Sequence, residues 1–60
     1  MKTITINAEV TLPRSEPTEI EVIMTVDADR VINKGNCAAI IKALYPNHSV
    51  NNVTFSILPE

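Results

Sequence analysis

A chain of 60 residues with seven acidic residues, five Lys or Arg and a formal net charge of −2 is expected to form one small, mildly acidic domain. This charge balance argues against a nucleic-acid-binding protein, and the only aromatic residues, Tyr45 and Phe55, are too few for a base-stacking platform. A single Cys excludes an internal disulfide, and one Cys with one His is too small a set for a structural zinc site. Because a domain of this size buries only about 60% of its unfolded surface, it should depend on a small aliphatic core, an oligomer or a partner.

Alternating apolar and polar side chains predict a long first strand over residues 3–12. Successive side chains on a strand point to opposite faces, so the apolar set shares one face. That set is Ile4, Ile6, Ala8, Val10 and Leu12. Pro13 and Pro17 then indicate a turn, and alternation resumes over residues 18–26. Two strands this close in sequence are expected to form an antiparallel hairpin.

The next stretch, residues 27–35, is ambiguous, and we interpret it as a loop or a single turn rather than a helix. The main helix is predicted from Lys34 or Asn36 to Tyr45, where the following proline ends it. Apolar residues at spacing i, i+3, i+4 and i+7 predict the stripe that faces the sheet. This stripe is Cys37, Ile40, Ile41 and Leu44.

A third strand is predicted over residues 50–58, ending at Pro59, because apolar and polar residues alternate again. Its apolar set is Val53, Phe55 and Ile57. Val50 and Leu58 are out of phase with that set, which requires either a bulge near one end or partial burial of both faces. The order β-β-α-β predicts one α+β domain over residues 1–60, with a three-stranded antiparallel sheet in the order 2-1-3 and one helix packed on one face.

The polar face of this sheet is expected to be open and to carry an acidic group of side chains on the first two strands. This group is Glu9, Glu19 and Glu21, with Ile23 beside it. Glu9 lies opposite Glu21 in one register of the hairpin and opposite Glu19 in the other. Like charges directly across strands are destabilising. The face is therefore either a solvated patch screened by salt or a docking surface for a basic partner.

The third strand is expected to be an exposed edge without charge, glycine or internal proline. Exposed edges are normally protected by charged side chains, proline or bulges. The strand is therefore predicted to pair with another protein or with a second copy of the chain, unless its twist and short length protect it. The predicted contact residues on this strand are Asn51, Asn52, Thr54, Ser56 and Leu58.

Cys37 and His48 are the only pair that suggests nucleophilic catalysis, because a thiolate is favoured near a helix N-terminus and a nucleophile needs a nearby base. They are expected at opposite ends of a helix about 15 Å long, too far apart to meet. We therefore interpret Cys37 as a core residue, and a small enzyme that uses it is the second alternative to protein binding. The sequence predicts no catalytic, cofactor-binding or metal-binding residue.

Residues 38–46 read AAIIKALYP, a helix that ends at Tyr-Pro before a β-strand. In this layout the chain resembles small accessory proteins that phages make to bind and inhibit host machinery. The resemblance implies a non-enzymatic modulator of a host protein, acting in the cytoplasm of the producing or host cell. The first alternative is a structural homodimer joined by its edge strands. No cofactor, nucleic acid or small molecule is expected as a partner. No membrane is expected either, because no apolar run would span a bilayer and no signal peptide precedes the first strand.

Overall fold

Three strands and one helix make up the computed structural model, which describes residues 1–58. The elements are β1 (Lys2–Thr11), β2 (Thr18–Val26), α1 (Lys34–Leu44) and β3 (Ser49–Leu58). β1 is the central strand and is antiparallel to both neighbours, in the order β2-β1-β3. The predicted α+β architecture and strand order are confirmed. The predicted strand stop at Pro59 lies outside the described residues.

The alternation of β1 builds the sheet half of the core. Ile4 and Ile6 are completely buried, and Ala8 and Val10 are 5% and 3% exposed. Because β1 has a strand on each side and a helix above it, one of its faces is removed from water along most of its length. Leu12, predicted as the last apolar residue of the strand, lies beyond β1 and is 41% exposed.

The helix covers only part of the sheet. It packs on β3 and β1, and no Cα of α1 lies within 8 Å of a Cα of β2. Cys37 and Ile41, one turn apart, are fully buried, and Tyr45 continues this row as a half-buried residue against the core. Ile40 and Leu44 lie on the flank of the row, where Ile40 is half-buried and Leu44 is 56% exposed. The predicted stripe is therefore wrong at Leu44.

The approach to the helix is a loop, as predicted. Its one backbone turn is closed by the Arg30 N–H, which donates to the Asp27 carbonyl at 3.0 Å. The Lys2 Nζ donates to the Arg30 carbonyl at 2.6 Å and so ties this loop to the start of β1. The helix begins after Asn33, whose side-chain oxygen accepts a hydrogen bond of 2.8 Å from the Asn36 N–H. This cap satisfies one of the N–H groups that the first helical turn leaves unpaired.

β3 contains a bulge opposite Ala8, where Asn52 and Val53 together face one residue of β1. Asn52 has a φ of 53°, in the left-handed region that asparagine tolerates better than other side chains. An extra residue at this point bends the strand and leaves the bulged residue outside the ladder. Regular pairing resumes on each side of the bulge with the pairs Asn7–Thr54 and Glu9–Asn51.

The bulge explains why Val50 is out of phase with Val53, Phe55 and Ile57. A bulge was one of the two alternatives that the sequence left open. Because Asn52 adds one residue, Val50 pairs with Val10 and packs against the core, although its parity differs from that of Val53. Leu58 has a different explanation. It pairs with Thr3, lies on the polar face and is 70% exposed.

Candidate partner-binding surfaces

The polar face of the sheet, named here the open face, lies opposite the helix. Within strands β1, β2 and β3 its only charged side chains are Glu9, Glu19 and Glu21. Lys2, the one basic residue within these three strands, is in phase with the core side chains, and its Nζ donates to the Arg30 carbonyl. Three carboxylates without a basic neighbour on the same face produce a negative surface potential there.

The hairpin register places Glu9 opposite Glu19 and Glu21 opposite Asn7. Of the two predicted registers, the structure therefore has the one that pairs Glu9 with Glu19. Glu9 is partly buried, and its Oε2 accepts a hydrogen bond of 3.4 Å from the Asn52 Nδ2. A contact of this length is weak, so the bulge offsets only part of the repulsion between the two carboxylates.

The open face has a depression of about 250 Å³ where the acidic residues meet the bulge. Its lining is polar except for two apolar residues, and it consists of Asn7, Ala8, Glu9, Glu19, Ile20, Asn52 and Thr54. Residues 1–58 contain no group of three or more His, Cys, Asp or Glu arranged to hold a metal ion. Glu9 and Glu19 give this depression a negative charge.

The outer edge of β3 is free along the described part of the chain. No hydrogen bond from a loop, a cap or a side chain within residues 1–58 reaches the β3 main chain. The residues predicted as edge contacts are all exposed: Asn51, Asn52, Thr54, Ser56 and Leu58. The bulge divides them, however, because a bulge interrupts pairing and is itself a form of edge protection. The uninterrupted edge is residues 53–58.

The structure separates Ile23 from this edge. Ile23 is 63% exposed and pairs with Thr5 on the open face, but it belongs to β2. Two strand spacings, about 10 Å, therefore lie between Ile23 and β3. The predicted contact residues form two groups, one along β3 and one made of Ile23 with the acidic side chains.

Sequence reasoning did not include Phe55 and Ile57 among the candidate contact residues, because both belong to the apolar set of β3. Exposure rises along β3 from 6% at Val53, through half-buried Phe55, to 42% at Ile57. The cause is a difference in length, since a helix of 11 residues spans about 16 Å whereas a strand of 10 residues spans about 33 Å. Comparing these lengths in the sequence would have indicated that one end of β3 stays uncovered.

Cys37 is completely buried, and burial raises the pKa of its thiol. Activated cysteines have the opposite shift and are partly accessible. His48 follows the other end of the helix, where its ring packs edge-on against Tyr45 with centroids 5.3 Å apart. The local geometry supports a packing role for Cys37.

A thiol reagent should therefore react with Cys37 slowly in the native chain. Because the sulfur is inaccessible and protonated, labelling should require unfolding, and its rate should rise with urea in parallel with the unfolded fraction. The measurement is the rate of reaction with DTNB across a urea titration, with the fully unfolded chain as the control. A native rate similar to that of the unfolded chain would show that the thiol is accessible.

Within residues 1–58, no helix has the length and apolar character needed to cross a membrane. Comparisons of the chain with protein-family models, with curated proteins and with solved structures found no match.

Proposed function

We propose that this chain is a non-enzymatic protein-binding module that accepts a strand of another protein on the free edge of β3. The observation that carries the proposal is the edge over residues 53–58, which is uncharged, free of bulges and unpaired within the described residues. Exposed Ile57 and Leu58 flank that edge on the two faces of the sheet. Strand addition supplies main-chain hydrogen bonds for affinity and side-chain contacts for specificity.

The two edges of the sheet differ in a way that favours β3. β2 carries Glu19 and Glu21, both exposed, and charges on an edge strand disfavour added strands. β3 has no charged residue between Ser49 and Leu58. An incoming strand therefore meets less electrostatic resistance at β3, and it covers apolar surface there that α1 leaves exposed.

The acidic residues of the open face have a second role in this proposal. Charge complementarity raises association rates and selects partners more than it adds affinity. Glu9, Glu19 and Glu21 would draw a basic partner toward the sheet, and β3 would then hold it. We propose that the chain acts as a phage or mobile-element modulator that inhibits a cytoplasmic host protein. A structural homodimer, joined through the same edge, is the second candidate function.

Thr54→Lys should lower partner binding by about tenfold or more, because it places a charge on the edge that receives the new strand. The matched control is Thr25→Lys, which makes the same substitution at an exposed threonine of the open face on the opposite edge strand. The experiment compares both variants and the original chain as bait in lysate of the source or host cell, followed by titration with the purified partner. Circular dichroism establishes that both variants fold.

Equal loss in the two variants would contradict docking at β3. Loss confined to Thr25→Lys would place the partner at β2 or the acidic residues. Retention of binding by Thr54→Lys, with the fold intact, would exclude strand addition at residues 53–58.

A further inference from the structure

We infer that a second copy of this chain caps the β3 edge before another protein binds, with the two β3 strands antiparallel about a two-fold axis at Phe55. The inference rests on the proposed function, because it uses the same free edge. The second copy is the first occupant of that edge, so another protein must compete with self-pairing to bind there.

The sequence of the edge is self-complementary about Phe55. Residues 53–57 read Val-Thr-Phe-Ser-Ile, which alternates apolar and polar and has the same class of residue at equal distances from the centre. Two identical antiparallel strands are related by a two-fold axis perpendicular to the sheet, which keeps both helices on the same side. Residues of the helix side then oppose residues of the helix side only when the axis lies level with one residue of each strand. An axis at Phe55 therefore places apolar residues opposite apolar ones and hydroxyls opposite hydroxyls.

On the helix side, this register sets Phe55 opposite the partner's Phe55 and Ile57 opposite the partner's Val53. Phe55 is half-buried and Ile57 is 42% exposed in the single chain, so pairing would cover apolar surface that α1 leaves open. On the open face, Thr54 lies opposite the partner's Ser56. Aromatic pairs and hydroxyl pairs are both favourable across antiparallel strands.

Neighbouring registers are less favourable. An axis at Thr54 would place Asn52, the bulged residue, opposite the partner's Ser56, where the ladder cannot continue regularly. An axis at Ser56 would set Leu58, the last residue of β3, opposite the partner's Thr54 and would leave Val53 without an opposing residue of the partner's β3. The bulge at Asn52 and the end of β3 at Leu58 thus limit the usable edge to a segment centred close to Phe55.

The absence of charge in β3 permits this pairing, and the small area of the interface limits the affinity of the dimer. No charged residue lies in β3, so the two-fold axis brings no like charges together along the new ladder. A ladder of about five residues covers much less area than a permanent interface, which indicates a reversible dimer that dilution separates. Such a dimer would protect the edge and still release it to a partner that binds the same segment more tightly.

The test uses two double variants that differ only at residue 56. In the inferred register, residue 54 faces residue 56 of the partner at two symmetric positions. Thr54→Lys with Ser56→Glu therefore places opposite charges across the axis, and Thr54→Lys with Ser56→Lys places like charges there. Sedimentation equilibrium over a dilution series measures the dimer dissociation constant, and circular dichroism confirms the fold of each variant.

We expect the original chain to dimerise reversibly, the Lys/Glu variant to dimerise at least as tightly, and the Lys/Lys variant to lose about tenfold or more. The difference between the variants should shrink at 1 M salt, where charges are screened within about 3 Å.

Equal loss in both variants would overturn the register, because an axis at Ser56 would pair residue 56 with itself. A chain that stays monomeric at millimolar concentration would overturn the inference and leave binding of another protein at β3 intact. A dimer in which hydrogen exchange leaves residues 53–57 unprotected would also overturn it.

Discussion

Ile41→Ala is expected to unfold much of the population at room temperature. Ile41 is completely buried, and large-to-small changes at such positions cost about 2–5 kcal/mol. A domain of 60 residues has a total stability of about 3–9 kcal/mol, so the loss removes much or all of it. Thermal and urea denaturation followed by circular dichroism measure this loss.

Leu44→Ala is the matched control, because it shortens an apolar side chain three residues later in the same helix. Leu44 is 56% exposed, and its truncation should cost less than about 1 kcal/mol. Half-buried Ile40 should give an intermediate value when changed to Ala. Similar losses for Ile41→Ala and Leu44→Ala would mean that α1 is rotated relative to the sheet described here.

Asn52→Val should have the second largest effect, with a loss of about 1–3 kcal/mol. Asn52 has a φ of 53°, and a β-branched side chain in the left-handed region is strained. Asn52→Gly is the control, because glycine adopts this conformation freely and removes only the weak hydrogen bond to Glu9. The free energy of unfolding of each variant in urea is the quantity to compare.

A valine variant as stable as the glycine variant would show that residue 52 does not need a positive φ. The bulge would then lie elsewhere, and the pairing of Val50 with Val10 would need another explanation.

The strands and their order could be predicted because alternation is a local signal that also fixes which face is buried. The hairpin register could be narrowed only to two alternatives. Registers that differ by two residues keep every side chain on the same face, so the apolar pattern fits both. The turn decides between them, and it includes Arg14 at a φ of 65° and the hydrogen bond from the Ser15 N–H to the Leu12 carbonyl. The pattern of apolar residues does not indicate backbone geometry of this kind.

The helix shows where sequence periodicity stops being informative. Spacing assigned Leu44 to the buried stripe because it lies seven residues after Cys37. Whether a stripe residue is buried depends on which strand lies beneath it, and α1 packs on β3 and β1 without reaching β2. Ile57 is partly uncovered for a different reason, because α1 is shorter than β3, and its exposed surface adds an apolar contact to the proposed edge site.

Amide hydrogen exchange of the original chain, alone over a dilution series and with a purified partner, tests the central claim most directly. In the proposed arrangement, a second copy or another protein binds at the β3 edge. This arrangement predicts added protection at alternate residues within 53–57, because only every second residue of an edge strand directs its N–H outward. Added protection that appears instead around Glu9, Glu19 and Glu21, with residues 53–57 unchanged, would contradict it.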